Sequence, residues 1–410
     1  MNYDLNLAAK TIVANLRELA ELTSNDKGAQ RVAWTPVWQK ARSWFAEKAR
    51  AYGADVTVDA AGNTWAKIAG KSSEAVVIGS HLDCVPNGGW LDGCYGVVTA
   101  LEALNYLARH GQPKCTVYAV DWADEEGARF SRSLMGVSAV AGTLDISEIA
   151  NRVDNEGRGI REVLAEYAVD LDNCKAAATQ FKQRNVIAYL ELHIEQGPVL
   201  EQMKKTVACV YGITGVERHY IAFAGQPAHA GSFPTLMRQD AFLAAAQAAL
   251  AFREIALKYG GVCTVGKVRV EPDVVTIVPG TCVISLDQRS IDKDKLALMH
   301  LEARQAVTCA VQTHSVQATW EKIWTIAPTV FDARLTALCK AAVADETGEE
   351  TAIFSGPLHD AAEMAKLVPS IMMFVMSERG LSHCPDENTA DEALESASRA
   401  FLRLADKVVN

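Results

Sequence analysis

Residues 75–93 read AVVIGSHLDCVPNGGWLDG, and this stretch joins an apolar strand pattern to a polar, glycine-rich loop. Its first five residues are wholly apolar, as in a strand that is covered on both faces. The loop that follows holds His81, Asp83 and Asp92 but almost nothing that could pack in a core. Ligands of open α/β sheets bind at the carboxyl ends of strands, so this loop is a candidate ligand site.

Strand and helix patterns alternate around this stretch. An amphipathic helix pattern occupies residues 97–111, and a second apolar strand pattern follows at 115–121. This alternation predicts an α/β fold, with a mainly parallel sheet and helices on both of its faces. After the motif ELHIEQGP the pattern changes to that of an α+β unit. We therefore predict a metal-binding catalytic domain of residues 1–212 and 329–410, interrupted by an inserted α+β domain at 213–328.

The composition is that of a folded globular protein with an excess of acids. The 410 residues include 50 Asp and Glu against 40 Lys and Arg, a formal charge of −10, which disfavours binding to a phosphate backbone. Nucleic acid is therefore not an expected partner. The ten cysteines are scattered without a CxxC pair, which is typical of thiols in a reducing compartment. The sequence has neither a signal-peptide pattern nor a membrane-length apolar stretch, so we expect a cytoplasmic protein without a membrane partner.

Polar clusters follow four of the apolar strand patterns. Besides the loop after residue 79, WADEEG follows the strand pattern at 115–121, ELHIEQG closes the next one, and GLSHCPDE follows SIMMFVM at 370–376. The three adjacent acids of WADEEG repel one another unless a cation or a proton compensates them. The candidate metal ligands and supporting groups at these strand ends are His81, Asp83, Asp92, Glu125, Glu126, His193 and His383.

Imidazole and carboxylate ligands together suit zinc, manganese, cobalt or nickel better than calcium or magnesium. These candidate ligands are more numerous than one tetrahedral metal ion needs. A bridging carboxylate would hold two ions about 3.5–4 Å apart. Each residue alone is more often a solvated or hydrogen-bonded side chain, but their coincidence at several strand ends favours a dinuclear hydrolytic centre. Asp83, two residues from His81, is predicted to accept the second imidazole N–H and so to orient the ring behind the metal.

Motifs of other enzyme classes are absent from the sequence. Neither the GxSxG motif of many serine hydrolases nor the GxGxxG motif of dinucleotide-binding folds occurs. His229 and Arg289 lie in the predicted inserted domain, where an isolated histidine or arginine is usually structural. From these residues alone, a hydrolase and a non-catalytic binding protein both remain open.

Six motifs then carry a family likeness: GSHLDCVPNGGWLDGCYGV, WADEEGARF, ELHIEQGPVLE, GQPAHAGSFP, SGPLHD and GLSHCPDENT. In order and spacing they resemble the hydantoinase/carbamoylase branch of the M20 metallopeptidase-like amidohydrolases. That branch includes N-carbamoyl-L-amino acid hydrolases, allantoate amidohydrolases and β-ureidopropionases. The resemblance implies hydrolysis of a linear amide C–N bond, foremost in an N-carbamoyl-L-amino acid or related ureido acid. Allantoate and a different amide or N-acyl amino acid are the alternative substrates, and the complete ligand set argues against a non-catalytic protein.

The resemblance also implies a role for single residues. Glu125 matches the general base, and Asp92 matches the carboxylate that bridges two divalent ions in each subunit. His229 matches a group that stabilises the oxyanion and reaches a site in the opposite subunit of a homodimer. The inserted domain is then both lid and dimer interface. The implied metal ligands are His81, Asp92, Glu126, His193 and His383.

The substrate-contacting positions show departures from the family pattern. Gln196 and Arg289 match such positions, and Arg289 suits a bidentate grip on a carboxylate. The family commonly has Asn where this chain has Thr276, and SGAGHD where this chain has Pro357 and Leu358. Both departures fall in the half of the pocket that the resemblance assigns to the acid group of the substrate. The identity of the substrate therefore stays open.

Overall fold

A computed structural model of the chain describes residues 4–410. The described residues form two compact units, one extending to Tyr211 and including Phe331–Asn410, the other comprising Gly212–Val330. Within residues 4–410, no helix is both long enough and apolar enough to cross a membrane. The helices α1 to α13 are Leu5–Thr23, Pro36–Ala51, Cys94–Arg109, Met135–Ala141, Ile146–Ile149, Ile160–Glu166, Ala176–Lys182, Val199–Met203, Ala241–Tyr259, Lys293–His314, Ala333–Thr347, Asp360–Met364 and Asp391–Val409.

The strands belong to a nine-stranded sheet, a five-stranded sheet and two short ribbons. Strands β1 to β18 are Ser24–Asn25, Gly28–Ala29, Asp55–Val58, Thr64–Ile68, Ser72–His81, Cys115–Trp122, Val186–Ile194, Val207–Ile213, Gly215–Ala224, Ala228–His229, Val262–Thr264, Val268–Glu271, Ile277–Val278, Thr281–Ser290, Gln317–Ile326, Thr329–Val330, Ala352–Ser355 and Ser370–Val375.

The nine-stranded sheet has the order β16-β8-β18-β7-β5-β6-β4-β3, with β17 beside β8, and all of its strands except β16 lie wholly or mostly in the first unit. The central pairs β18–β7, β7–β5 and β5–β6 are parallel, whereas β8–β18, β6–β4 and β4–β3 are antiparallel. Helix α3 crosses over between β5 and β6, which permits parallel pairing, while the short turn at residues 59–63 forces β3 and β4 to pair antiparallel. The sheet is therefore mixed, and the expected parallel arrangement is found only at its centre.

The central strands are covered on both faces. Val76, Val77 and Ile78 of β5 are all buried, although consecutive side chains of a strand point to opposite faces. Helix α3, which directly follows the polar loop, is buried along almost its whole length. This double cover explains the wholly apolar strand pattern, and it leaves the ends of the strands as the place where polar groups can lie.

The second unit is built on a five-stranded antiparallel sheet, β11-β14-β9-β15 with β12 beside β14. Helices α9 and α10 pack against it around a buried apolar layer that includes Ile221, Phe223 and Phe252. The alanine-rich pattern predicts that α9 begins near Met237, but the helix begins at Ala241. The physical reason is the cap: the Asp240 carboxylate accepts the backbone N–H groups of the first turn.

Candidate metal centre

The four strands that precede the polar clusters are neighbours in the sheet. They are β18, β7, β5 and β6, and each pairs with the next in parallel. Because parallel strands end at the same edge, all four clusters meet there. His81 closes β5 and His193 lies near the end of β7, with ring centroids 5.8 Å apart. Parallel pairing thus joins ligand candidates that are far apart in the sequence.

Backbone carbonyls hold these two imidazoles in one tautomer. Nδ1 of His81 lies 3.0 Å from the carbonyl oxygen of Asp83, and Nδ1 of His193 lies 2.9 Å from that of Ile194. A carbonyl oxygen can only accept, so in each ring Nδ1 carries the proton. In the neutral form of each ring, Nε2 therefore keeps the lone pair with which a histidine binds a metal.

Asp92 lies between two groups of candidate ligands. Its Oδ1 is 3.3 Å from Nε2 of His193, and its Oδ2 is 3.1 Å from Nε2 of His383. The potential ligand atoms of His81, Asp92 and His193 all lie within 4.8 Å of one another. Those of Asp92, Glu126 and His383 meet the same limit. Asp92 is thus common to both groups and directs one oxygen atom toward a histidine of each.

Two buried polar atoms of these groups have no hydrogen-bond partner, namely Nε2 of His193 and Oε1 of Glu126. Each approaches an opposing group, since His193 Nε2 lies 3.3 Å from Asp92 and Glu126 Oε1 lies 3.3 Å from Nε2 of His383, but neither contact has hydrogen-bond geometry. Leaving a buried polar group without a partner costs about 1–3 kcal/mol. A divalent cation among these atoms would satisfy them, so the residues fit a metal.

The carboxylates of this centre lie close enough to repel one another. Burial, followed by the charges of Asp360 and Glu126, raises the pKa of Glu125 well above its usual range. Burial and the charge of Asp92 raise the pKa of Glu126 to about 10. Burial also acts to raise the pKa of Asp92, but His383 and the other histidines lower it overall. The surroundings of the two glutamates therefore hold too little positive charge to stabilise their ionised forms. A bound divalent cation would supply that charge.

The turn that carries the two glutamates is held by two other carboxylates. Asp124 has a φ of 58°, an unusual value for a residue with a side chain, and the indole N–H of Trp34 donates to its carboxylate over 2.7 Å. The backbone N–H groups of Glu125 and Glu126 donate to the two oxygens of Asp83, each over 3.1 Å. These bonds position both glutamates at the edge of the sheet where the histidines lie.

The prediction that the Asp83 carboxylate accepts the ring N–H of His81 is wrong. Oδ1 of Asp83 lies 3.8 Å from Nδ1 of His81, which is too long for a hydrogen bond, and the backbone carbonyl of Asp83 accepts the ring N–H instead. The two carboxylate oxygens are already occupied by the backbone N–H groups of Glu125 and Glu126. The Asp83 carboxylate therefore supports the turn of the glutamates, and the Asp83 backbone supports the ring.

Gln196 and His383 line a more open side of the centre. The Gln196 amide donates to Oδ1 of Asp92 over 3.1 Å and to the Ser382 hydroxyl over 3.2 Å. Its nitrogen also lies 3.3 Å from Nε2 of His383. The His383 side chain is 48% exposed, against 3% for Asp92. Solvent therefore reaches the centre from the side of His383.

Gly93 allows the loop to close against the first imidazole. Its φ is 65°, and a Cβ atom there would lie 2.4 Å from two ring atoms of His81. Any larger residue would push the ring away. The position requires glycine for both its backbone conformation and its closeness to the ligand.

Glu387 is a supporting residue that the sequence analysis missed. It is buried, and one carboxylate oxygen accepts the backbone N–H groups of Leu91 and Asp92, each over 3.0 Å. The other oxygen accepts the Ser382 hydroxyl over 2.7 Å. Glu387 thus ties the loop of Asp92 to the segment that carries His383. Its position in the motif GLSHCPDENT was the available signal.

His359 and Arg31 were also missed. The ring of His359 is buried and packs edge-on against His193, with centroids 4.5 Å apart. Arg31 is fully buried, and its Nε–H donates to the carbonyl of Leu82 over 2.9 Å. The motif SGPLHD pointed to His359, whereas nothing near Arg31 in the sequence indicated its role. Both residues brace ligand-bearing segments of the centre.

Three of the predicted residues belong to the second unit. His229 is exposed on β10, and its Nδ1 accepts the backbone N–H groups of Gly231 and Ser232 over 3.0 and 3.2 Å. Thr276 lies beside it, since its carbonyl accepts the N–H of Ala230 over 2.9 Å. The antiparallel pairing of β10 with β13 brings these segments together.

Arg289, near the end of β14, shares a carboxylate with another arginine. Its Nε–H donates to one oxygen of Asp287 over 2.9 Å, and Nε–H of Arg218 donates to the other over 2.9 Å. Leu358 belongs to the first unit, where it is half-buried next to His359 in the sequence.

This fold and these residues define a class of protein: a mixed α/β protein with clustered His, Asp and Glu side chains that suit divalent metals. The sequence model of peptidase family M20/M25/M40 matches residues 77–407. The chain belongs to this family. Its relatives over nearly the full chain are amidohydrolases of N-carbamoyl-L-amino acids and of allantoate, and like them it is a metal-dependent amidohydrolase that acts on C–N bonds other than peptide bonds.

Individual relatives confirm the resemblance to the hydantoinase/carbamoylase branch. An N-carbamoyl-L-amino-acid amidohydrolase of Paenarthrobacter aurescens is 31% identical over 404 residues, which cover 97% of each chain. An allantoate amidohydrolase of Bacillus subtilis is 30% identical over 390 residues, which cover 94% of each chain. A crystal structure of a hydantoinase/carbamoylase family amidase from Burkholderia multivorans matches with a TM-score of 0.89 and 31% identity, covering 98% of each chain.

Proposed function

We propose that this protein hydrolyses an N-carbamoyl-L-amino acid or a related ureido acid, with release of the amino acid, carbon dioxide and ammonia. The observation that carries this proposal is the position of Asp92, which belongs to two groups of candidate ligands at one sheet edge. Full-length similarity to an N-carbamoyl-L-amino-acid amidohydrolase supports the choice of substrate class.

The centre is proposed to hold two divalent ions per subunit, drawn from zinc, manganese, cobalt and nickel. His81, Asp92 and His193 would bind one ion, and Asp92, Glu126 and His383 the other. Bound ions would supply Lewis-acid polarisation of the scissile carbonyl and an activated water. The shared carboxylate and the unpartnered nitrogen of His193 support this assignment.

Glu125 is the proposed general base. It is outside both ligand groups, and its Oε2 lies 3.7 Å from Nε2 of His81. Burial raises its pKa, which suits a group that must take a proton from water and pass it to the leaving nitrogen. Glu126, its neighbour, would stay bound as a ligand, so the two adjacent carboxylates divide ligation and proton transfer between them.

His229 is the proposed donor to the developing oxyanion. Because its Nδ1 accepts two backbone N–H groups, the neutral ring carries its proton on Nε2 and can donate from there. We propose that His229 serves the centre of the opposite subunit in a homodimer. The inserted domain, residues 213–328, would then act as lid and dimer interface, and its closure would complete the site.

The surface of α9 supports the proposed dimer. Leu243, Leu250 and Leu257 are 45%, 71% and 62% exposed, and their spacing of seven residues aligns them along one side of the helix. An exposed apolar stripe of this kind marks an interaction surface. We propose that this stripe is covered by the same surface of a second copy of the chain.

The acid group of the substrate is proposed to bind Gln196 and Arg289. Asp287 pairs with both Arg218 and Arg289, and the planar guanidinium of Arg289 suits a bidentate grip on a substrate carboxylate. Thr276 and Leu358 are proposed to line this part of the pocket. They depart from the family pattern, and this observation favours a second candidate: allantoate, or a different amide or N-acyl amino acid.

The cysteines support a cytoplasmic location, which we also propose. All ten are free thiols, and most are buried. Free thiols persist in a reducing compartment.

A substrate panel tests the proposed reaction. The purified protein, loaded with manganese or cobalt, would be mixed with N-carbamoyl-L-amino acids, β-ureidopropionate, allantoate and N-acyl amino acids, and amine release followed. We expect the fastest release from an N-carbamoyl-L-amino acid. Release from an N-acyl amino acid but from no ureido compound would overturn the proposal.

The variant Glu125→Gln tests the proposed base. We expect kcat to fall by about 10²- to 10⁴-fold while the protein retains its metal, because the amide cannot take a proton and the ligands are unchanged. The comparison variant Glu126→Gln should lose metal as well as activity. Elemental analysis after gel filtration measures the metal content, and unchanged turnover in Glu125→Gln would contradict the assigned role.

A further inference from the structure

The second unit contains a cluster of two histidines and a glutamate that is separate from both ligand groups of the metal centre. Glu217 and His219 are two residues apart on β9 and therefore project from the same face of the sheet. Along this face, Ile221 and Phe223 belong to the buried apolar layer. His300 comes from α10, next to the buried Met299. The cluster thus places polar side chains next to the buried apolar layer. Such side chains need hydrogen-bond or metal partners.

The three side chains are close to one another. Nε2 of His219 lies 3.1 Å from Oε2 of Glu217, and the rings of His219 and His300 stack with centroids 4.6 Å apart. One potential ligand atom from each residue lies within 4.8 Å of the other two. The ring of Trp320 stands edge-on to both imidazoles, with centroids 5.5 and 5.6 Å away. Two imidazole nitrogens and one carboxylate oxygen therefore lie close together beside the ring of Trp320.

One donor atom of the cluster is unsatisfied. Nδ1 of His300 is buried and has no hydrogen-bond partner. Burial and then His219 lower the pKa of His300, which disfavours the charged form of its ring. The Thr325 hydroxyl donates to Oε2 of Glu217 over 2.9 Å and orients that carboxylate. If the two histidines were purely structural, the hydrogen bond between His219 and Glu217 would be sufficient. A structural role would leave the unpartnered Nδ1 of His300 unexplained.

We propose that Glu217, His219 and His300 form a second metal site, which takes a divalent transition-metal ion such as Zn²⁺. Two imidazoles and a carboxylate are a common three-residue set for zinc, with the fourth position left to a small ligand such as water. Two ligands of a tetrahedral zinc ion with bonds of about 2.1 Å lie about 3.4 Å apart, close to the 3.1 Å between His219 and Glu217. The metal would replace the proton that these two atoms now share.

The experiment uses the full chain with the proposed catalytic ligands removed, in the variant Asp92→Asn/His193→Ala. This protein would be incubated with Zn²⁺, passed through a gel-filtration column and analysed for zinc per subunit. We expect about one ion to remain. Adding His300→Ala should remove it, because the third ligand is lost. The matched control is His314→Ala, a half-buried histidine of the same helix that contacts Gln247, and it should retain the ion.

A second variant guards against misfolding, since Glu217→Gln keeps the shape of the side chain but removes its charge. It should also lose zinc while its circular dichroism stays that of the parent. Zn²⁺ should raise the Tm of the parent and of His314→Ala, but not that of His300→Ala or Glu217→Gln. A parent that retains no zinc, or His300→Ala and Glu217→Gln variants that retain as much as the control, would overturn the proposal. The readout does not depend on activity, so it stands apart from the proposed reaction.

Discussion

Two aspartates of the loop after β5 have different partners. Asp92 lies 3.3 Å from Nε2 of His193 and 3.1 Å from Nε2 of His383. Asp83 accepts two backbone N–H groups from the turn of the glutamates. A carboxylate that faces two imidazoles can share a cation with them, whereas the oxygens of Asp83 are already occupied by backbone donors.

The variants Asp92→Asn and Asp83→Asn should therefore differ. Asp92→Asn is expected to lose metal from both proposed positions, because a carboxamide is a poor bridge between cations. Asp83→Asn should keep most of the metal but lower the free energy of unfolding by about 1–3 kcal/mol, because one backbone N–H loses its acceptor. Elemental analysis and thermal unfolding measure the two effects. Equal loss of metal in both variants would contradict this division.

The variant Gly93→Ala should also reduce metal binding. Its added Cβ atom would lie 2.4 Å from ring atoms of His81, so the ring must move out of the ligand group. Gly142→Ala is the matched control, since Gly142 also has a positive φ, of 74°, but nothing lies within 4 Å of the added atom. Both variants should lose about 1–2 kcal/mol of stability through backbone strain, and Gly93→Ala should lose more, because its Cβ atom would also lie 2.4 Å from the backbone carbonyl oxygen of His81. Only Gly93→Ala should lose metal, and full metal content in that variant would show that His81 is not a ligand.

At the scale of helices and strands, local patterns indicated most of the central elements. Apolar runs predicted strands at 75–79 and 115–121, and the structure has strands at Ser72–His81 and Cys115–Trp122. Whether neighbouring strands pair parallel or antiparallel was harder to predict from the sequence, because it depends on whether the connection between them is a helix or a tight turn. The outer strands β3 and β4 are joined by a short turn and pair antiparallel. Sequence periodicity alone does not show that direction.

The contact between α11 and α13 leads to a prediction about pH. Glu346 of α11 accepts hydrogen bonds from Arg399, over 2.8 Å, and from Arg403, both in α13. Burial opposes ionisation, but these arginines lower the pKa of Glu346 overall. A lowered carboxyl pKa stabilises the fold above the unfolded-state pKa, about 4.3, and this stability is lost as pH falls through the still lower folded-state value.

Glu346→Gln should therefore lower the free energy of unfolding by about 1–2 kcal/mol at pH 7. The difference from the parent should shrink as the pH falls below about 4, where the unfolded-state carboxyl protonates. Glu395→Gln is the control, since Glu395 lies 3.7 Å from Arg399 and is more exposed, and its effect should stay below about 0.5 kcal/mol. Denaturant unfolding across this pH range measures both. A difference that persists unchanged at pH 3 would contradict the ion-pair explanation.

The whole molecule combines two units with different surfaces. The first unit carries the candidate metal centre, whereas the second has a row of exposed leucines on α9. We expect Leu250→Glu/Leu257→Glu to convert the proposed dimer into a monomer, because four charges per dimer would be buried against one another without partners. Val58→Glu, at a position of the first unit that is 58% exposed, is the control and should remain dimeric. Sedimentation velocity measures the mass, and an unchanged mass in the double variant would exclude this surface as the interface.

The sequence by itself determined the chemical type of the centre, because ligand side chains and glycines are local features of the segments that follow the strands. His81, Asp92, Glu126, His193 and His383 could be proposed as ligands from motifs alone. Only the tertiary structure decided that the carboxylates of Asp83 and Glu387 accept backbone N–H groups, whereas that of Asp92 faces two histidines. It also decided that Glu217 and His219 meet His300, which no motif indicated. The physical reason is that hydrogen-bond partners and shared ligands are set by strand order and by helix packing, which bring together residues far apart in the chain.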